Sequence, residues 1–181
     1  EKCYPDSVNE TIPEKISYTR LREILKRLLQ EQVSIRNFKD IIETLSEHAD
    51  IEPDNIALTD RLRVRLGRQI CHSYSRNQSL QVCLIDSELE QLFMDKLHLV
   101  GTERILAMDS DLISRVIDAF QGSLSKAGQL STTVLLTIEP SIRYVLWRFL
   151  SQQFQNISVL SAQELPAGFQ FKAVATAGLN T

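Results

Sequence analysis

The 181-residue chain is poor in the residues that mark specialised architectures: three cysteines, six glycines, five prolines, three histidines and one tryptophan. So little Gly and Pro excludes collagen-like and low-complexity chains. Cys3, Cys71 and Cys83 are odd in number and lack short metal-ligand spacing. They predict free thiols in a reducing compartment rather than a disulfide framework. No apolar run approaches the roughly 20 residues that span a bilayer. No basic start followed by an apolar stretch suggests a signal peptide. Positive charge is also scarce: 20 Lys+Arg stand against 23 Asp+Glu, for a net charge of −3. A nucleic-acid or anionic-membrane binder normally shows the opposite balance. The chain begins at Glu1, not Met, which suggests a fragment or processed product of a longer protein.

What is present is ordinary globular material, 43% hydrophobic and 24% charged. A chain of this length buries roughly 70% of its unfolded surface, so it needs no staple. Residues 1–16, with Pro5 and Pro13, read as a polar lead-in. Leu21, Ile24, Leu25 and Leu28 recur at three and four, predicting a helix over 17–32 capped by Ser17. After a break at Gln32-Val33-Ser34, Ser34 is placed to cap a helix over 35–49. Its stripe would be Ile35, Phe38, Ile41, Ile42 and Leu45. Val33, Ile35 and Phe38 are expected in the core. A third helix is predicted over 55–75, from Leu58, Leu62, Leu66, Ile70 and Tyr74.

The pattern changes near Ser75–Ser79. Residues 80–86 read as a buried strand, and Ser87-Glu88-Leu89-Glu90 as a capping box opening a helix to about Leu97. Gly101 breaks it, and 102–108 are ambiguous. A helix over 110–127, a β-branched strand over 132–138 and a helix over 140–154 opened by Pro140 follow. Strands over 157–161 and 169–176 close the chain. The expected fold is a small all-α unit over 1–76, followed by an α/β unit over 77–181 with a mainly parallel sheet. Residues 1–76 are charge-balanced, and 77–181 carry the whole −3.

No phosphate loop, dinucleotide fingerprint, nucleophile elbow or H-E-x-x-H is present. Ser123-Leu124-Ser125-Lys126 matches S-x-x-K by letters but falls in a helix end. Neither catalytic nor metal or cofactor-binding residues emerge. A helix–turn–helix reading of 17–49 would offer Arg36, Asn37 and Lys39 to DNA. Asp40, Glu43 and Glu47 on the same face would repel phosphates. The arginines 61, 63, 65 and 68 offer phosphate contacts or a partner-facing helix side. An orphan α/β enzyme would need a pocket at the strand ends near Asp86, Thr137–Glu139 and Ser161. Protein–protein interaction is the default expectation.

One run carries more. Leu28-Leu29-Gln30-Glu31-Gln32-Val33-Ser34-Ile35-Arg36-Asn37-Phe38, then Ile41-Ile42-Glu43-Thr44-Leu45, closely resembles the FHIPEP family. These are the large export-gate proteins of bacterial type III secretion and flagellar export. The match continues in order through Leu58-Thr59-Asp60, Arg63, Leu66, Arg68-Gln69-Ile70 and Asp86-Ser87-Glu88-Leu89-Glu90. It ends with Ile142-Arg143 and Val159-Leu160-Ser161 followed by Glu164. Arg61, Arg65 and Gly67 depart from the family pattern. Gln32 and Asn37 look more like the virulence (injectisome) branch than the flagellar one.

The resemblance implies the last two of four cytoplasmic subdomains, the third being the helical unit and the fourth the α/β unit. It implies a non-enzymatic transport component forming a nine-membered ring of identical copies. Implied partners are chaperone–substrate complexes, a gatekeeper and other export-apparatus proteins, with no cofactor and no nucleic acid. The parent would sit in the bacterial inner membrane through a missing N-terminal domain, with this part in the cytoplasm. The family's third subdomain makes contacts between protomers. Arg27, Glu31, Arg36 and Asp40 are the motif residues expected to face outward there, as cross-protomer charge pairs.

Overall fold

A computed structural model describes residues 11–75, 79–101, 103–126 and 133–179. The chain divides into two compact units, residues 1–70 and 71–181.

Among the described residues the regular structure of the first unit is helical. Helix α1 (Tyr18–Gln30) is capped by Ser17, whose side chain accepts from the Arg20 N–H, and it buries Leu21, Ile24 and Leu28. Its end is set by the backbone. Gln32 adopts φ +60°, the Gln32 N–H donates to Leu29 C=O at 3.0 Å, and the Val33 N–H reaches Leu28 C=O at 2.8 Å. This pairing is a Schellman motif with Gln where Gly is usual. The predicted break at 32–34 is therefore real. Thr11, Ile12 and Ile16 are buried, so the supposed polar lead-in supplies core.

Helix α2 (Phe38–His48) starts three residues later than expected, with Asn37 at the N-cap. Ser34 does not cap it. Its hydroxyl instead accepts from the Arg36 N–H at 3.4 Å, and its carbonyl accepts from Gln69 Nε2 at 2.7 Å. A serine bonded two residues ahead holds the chain out of helix. Phe38 is consequently 39% exposed and Ile35 only half-buried, while Val33 is buried. The expected core role holds for Val33 alone.

The third predicted helix is two. Helix α3 (Asn55–Arg65) is capped by Asp54, which accepts from the Ile56 N–H at 2.8 Å. Helix α4 (Gly67–Tyr74) follows after a turn at Leu66. Glycine costs about 1 kcal/mol against alanine in a helix interior, so the break falls beside it. α3 packs against both α1 and α2. Arg20 fastens the ends: it donates to Asn55 Oδ1 (2.7 Å), Ala49 C=O (2.7 Å) and Glu52 C=O.

The second unit is α/β. Strands β1 (Ser79–Ile85), β4 (Thr133–Thr137), β5 (Ile157–Ser161) and β6 (Gln170–Ala177) form one sheet in the order β5-β4-β1-β6. Every neighbouring pair is parallel. Helix α5 (Ser87–Lys96), helix α6 (Ser110–Lys126) and helix α7 (Arg143–Leu150) accompany it. Their aromatics meet in the core: Phe93 of α5 packs edge-on against Phe120 of α6 (6.5 Å) and Phe149 of α7 (5.9 Å). The ambiguous stretch is a two-stranded antiparallel ribbon, β2 (Leu97–Val100) and β3 (Glu103–Leu106). Gly101 takes φ +63° at its tip, where a tight hairpin requires a left-handed residue.

The expected capping box on α5 is not made. Asp86 is the N-cap and accepts from the Leu89 N–H at 2.7 Å. Glu90 turns inward instead, accepting from the Thr137 hydroxyl (2.6 Å) and the Ile138 N–H (2.7 Å). Pro140 opens a 3-10 turn, Pro140–Ile142, ahead of α7, so the helical stretch is shorter than predicted.

Two backbone predictions follow from this geometry. Gln32→Gly should raise stability by about 0.5–1 kcal/mol, by relieving a left-handed residue that carries a side chain. Gly178→Ala should lower it by about 1 kcal/mol or more, because the new Cβ would lie 1.9 Å from Asp86 Oδ2 and push out the carboxylate capping α5. Urea denaturation midpoints check both signs, and a Gly178→Ala midpoint equal to the parent's would refute the second.

Candidate functional site

The four outward charges expected on the first unit do not form one face. Glu31 is the C-cap residue of α1 and is only 4% exposed. Its Oε2 lies 3.0 Å from Nη1 of Arg63, itself 1% exposed. Glu31 therefore points inward, because α3 presents a guanidinium that must be neutralised out of water. Asp40 is half-buried in the first turn of α2 and takes Arg65 Nη2 at 3.2 Å. Arg65 also approaches Glu43 at 3.5 Å, and Lys39 pairs with Glu43 at 3.6 Å. Arg27 is half-buried in the last turn of α1, a favourable end for a cation. Arg36 is exposed on the α1–α2 connection.

The arginines of α3 each lie near a carboxylate of their own unit. Arg63 meets Glu31, Arg65 meets Asp40 and Glu43, and Arg61 approaches Glu52 at 3.8 Å. The phosphate-contact reading of this cluster loses Arg63, which is buried, while Arg61 and Arg65 keep about half their side-chain surface in water. The inward turn of Arg63 was visible in the spacing. Ile56, Thr59 and Arg63 lie three and four apart, so they share a helix face, and all three are buried.

The second unit holds a parallel case. Arg143 and Glu164 are each 1–2% exposed, with Nε 3.9 Å from Oε1. The same Oε1 accepts from the Ser161 N–H (2.9 Å) and hydroxyl (3.2 Å). Together with Asp86 capping α5 and Thr137 bonded to Glu90, this engages the polar groups at the strand ends in the fold. They form no triad for an enzymatic reading. The Ser123 hydroxyl lies 3.0 Å from both Ala119 C=O and Thr176 C=O and is buried, so it is no exposed nucleophile. Burial pushes the Cys83 thiol up to about 11, against a smaller lowering by a backbone hydrogen bond with Ala177. A thiol so protonated is a poor nucleophile. Among the described residues no group of three His, Cys, Asp or Glu is placed to hold a metal ion.

The Glu31–Arg63 contact makes a sharp prediction. Glu31→Ala should cost about 3–5 kcal/mol by removing the carboxylate 3.0 Å from a buried guanidinium. The double variant Glu31→Leu/Arg63→Met should recover most of that loss, because neither ion of the contact remains to be desolvated. A double variant no more stable than Glu31→Ala, by urea denaturation, would show that the pair is not the source of the cost.

Known proteins resemble this chain along nearly its whole length. The FHIPEP family matches residues 1–170. The flagellar biosynthesis protein FlhA of Salmonella typhimurium is 32% identical over 96% of this chain and 25% of its own length. Protein MxiA of Shigella flexneri is 26% identical over 97% of this chain and 26% of its own length. The chain thus spans about a quarter of these curated relatives. Among solved structures, the Chlamydia pneumoniae CdsV protein superposes with a TM-score of 0.89 at 29% identity, covering 98% of this chain and 51% of that one. The nonameric EPEC SctV-C, seen by electron cryo-microscopy, gives 0.86 at 26% identity, over 96% of this chain and 52% of that one. The order of motifs along the sequence, the fold they build and these matches agree, and the chain belongs to the FHIPEP family.

Proposed function

We propose that the chain is the C-terminal part of the cytoplasmic region of a type III secretion export gate. In this reading residues 1–76 and 77–181 correspond to the third and fourth cytoplasmic subdomains. The whole protein assembles as a nine-membered ring that receives chaperone–substrate and gatekeeper complexes, and it has no catalytic role. The observation that carries the reading is the likeness across nearly the full chain to CdsV and to a relative that is itself nonameric. Among the described residues no helix is long and apolar enough to cross a membrane. Inner-membrane attachment of the parent would lie in a segment outside this chain.

Protomer contacts are proposed for the first unit, with a smaller cast than the linear sequence suggested. Arg36 is exposed, Arg27 is half-buried, and Asp40 brings a carboxylate already shared with Arg65. Glu31 drops out, being sealed against Arg63. Exposed pairs contribute only ~0–1 kcal/mol each. A ring repeats the contact at every interface, so a small change per contact is multiplied.

The test is made on the entire cytoplasmic region. Electron images should show nine-fold rings, and Arg36→Glu should shift sedimentation toward smaller species at matched concentration. Unchanged sedimentation would remove Arg36 from the interface. Particles that stay monomeric at every concentration would overturn the ring reading itself.

A further inference from the structure

The ribbon and α7 enclose a cleft that the ring reading leaves unused. It measures about 150 Å³ and is lined by Arg104, Ile105 and Leu106 of β3 and by Val145, Arg148, Phe149 and Gln152 on the α7 side. Leu106 and Phe149 pack on the core of this unit, so the floor is apolar and anchored. Beside it the ribbon leaves Leu99, Val100 and Ile105 at 72%, 61% and 43% exposure.

Three features specify an occupant. First, consecutive residues of β3 line the cleft, so the strand presents its edge there rather than one face. Antiparallel alternation, phased by the Ala107 N–H donating to Lys96 C=O at 2.9 Å, turns the Leu106 main-chain groups away from β2. Second, the volume admits one apolar side chain but no helix, whose diameter is about 10–12 Å. Third, the charged residues lining the cleft are two arginines and no carboxylate, among the described residues. This is a local positive spot on the part of the chain that carries the whole −3. Gln152 lies beyond the α7 C-terminus, whose partial charge of about −0.5 is outweighed by two full positive charges.

We propose that this cleft binds an extended polypeptide segment of a partner protein, in which an apolar residue is flanked by Asp or Glu. The segment lies along the edge of β3 at Leu106, on the side away from β2. Its apolar side chain enters between Ile105, Val145 and Phe149, and its carboxylates meet Arg104 and Arg148. A strand beside a helix is a recurring frame for this mode of peptide capture, with main-chain bonds supplying affinity and one pocket supplying selection. The proposal does not depend on the ring, since every lining residue belongs to one unit.

The test uses the full chain, isotope-labelled, and capped synthetic peptides of about eight residues. One peptide alternates Glu with Leu, and the other alternates Lys with Leu. The Glu peptide should shift the amides of 104–106 and 145–152, and raising NaCl from about 50 to about 500 mM should weaken it. Arg148→Glu should weaken binding at least about tenfold. Arg148 is solvent-exposed, and Arg148→Gln gives the same reading with a milder change. Equal binding of both peptides, shifts confined to other residues, or an unaltered affinity in both Arg148 variants would overturn the proposal. Cleft amides that shift with protein concentration alone would overturn it in favour of a second copy of the chain.

Discussion

A guanidinium taken out of water must be met by a carboxylate, and among the described residues each unit shows one such contact. Arg63 faces Glu31 in the first and Arg143 faces Glu164 in the second, all four essentially inaccessible. Desolvating each ion costs several kcal/mol, so such a contact adds little net stability over a well-packed apolar pair. What it does is forbid alternatives. A packing that separated the two ions would strand both, at several kcal/mol. Glu31 thereby fixes where α1 ends relative to α3, and Glu164 fixes the turn after β5 relative to the start of α7. Glu31, Arg63, Arg143 and Glu164 are among the residues that carried the family resemblance, so part of that pattern records these two internal contacts.

This changes how the surface charge is read. The first unit is arginine-rich along α3, yet Arg63 is internal and Arg61 and Arg65 approach carboxylates of their own unit. A polyanion would have to displace those contacts before gaining its own. Arg36, on the α1–α2 connection, stands in the open. Gln32 and Asn37, which hinted at one branch of the family, have local work as well: Gln32 is the left-handed residue ending α1, and Asn37 is the N-cap of α2.

Most elements were legible because their signals were local. Ser17 caps α1 as read, and the four parallel strands fall within about a residue or two of the expected spans. Several misreadings share a cause: a side chain took a partner other than the one its local pattern implied. Ser34 bonded to its own chain and delayed α2. Glu90 left the capping box for Thr137, across the fold. Glu31 fitted an exposed helix end by pattern, and only α3 made it internal. The ribbon failed differently. Its strands of four residues each are too short for periodicity to register, and Gly101 was read as a stop rather than a hairpin tip.

That ribbon is also where energetics and function part company. A lone two-stranded ribbon is marginal in water. Here it is held because Leu97 and Leu106 pack on the core that Phe93, Phe120 and Phe149 organise. Leu99, Val100 and Ile105 lie outside that core. Each leaves apolar surface in water, worth about 25 cal/mol per Å² once covered. The core fixes the ribbon's position beside α7, and the exposed apolar residues with two arginines give that position a chemistry. A rigid anchor with an unsatisfied apolar edge is what capture of an extended chain requires, since little order has to be created on the protein's side when the partner arrives.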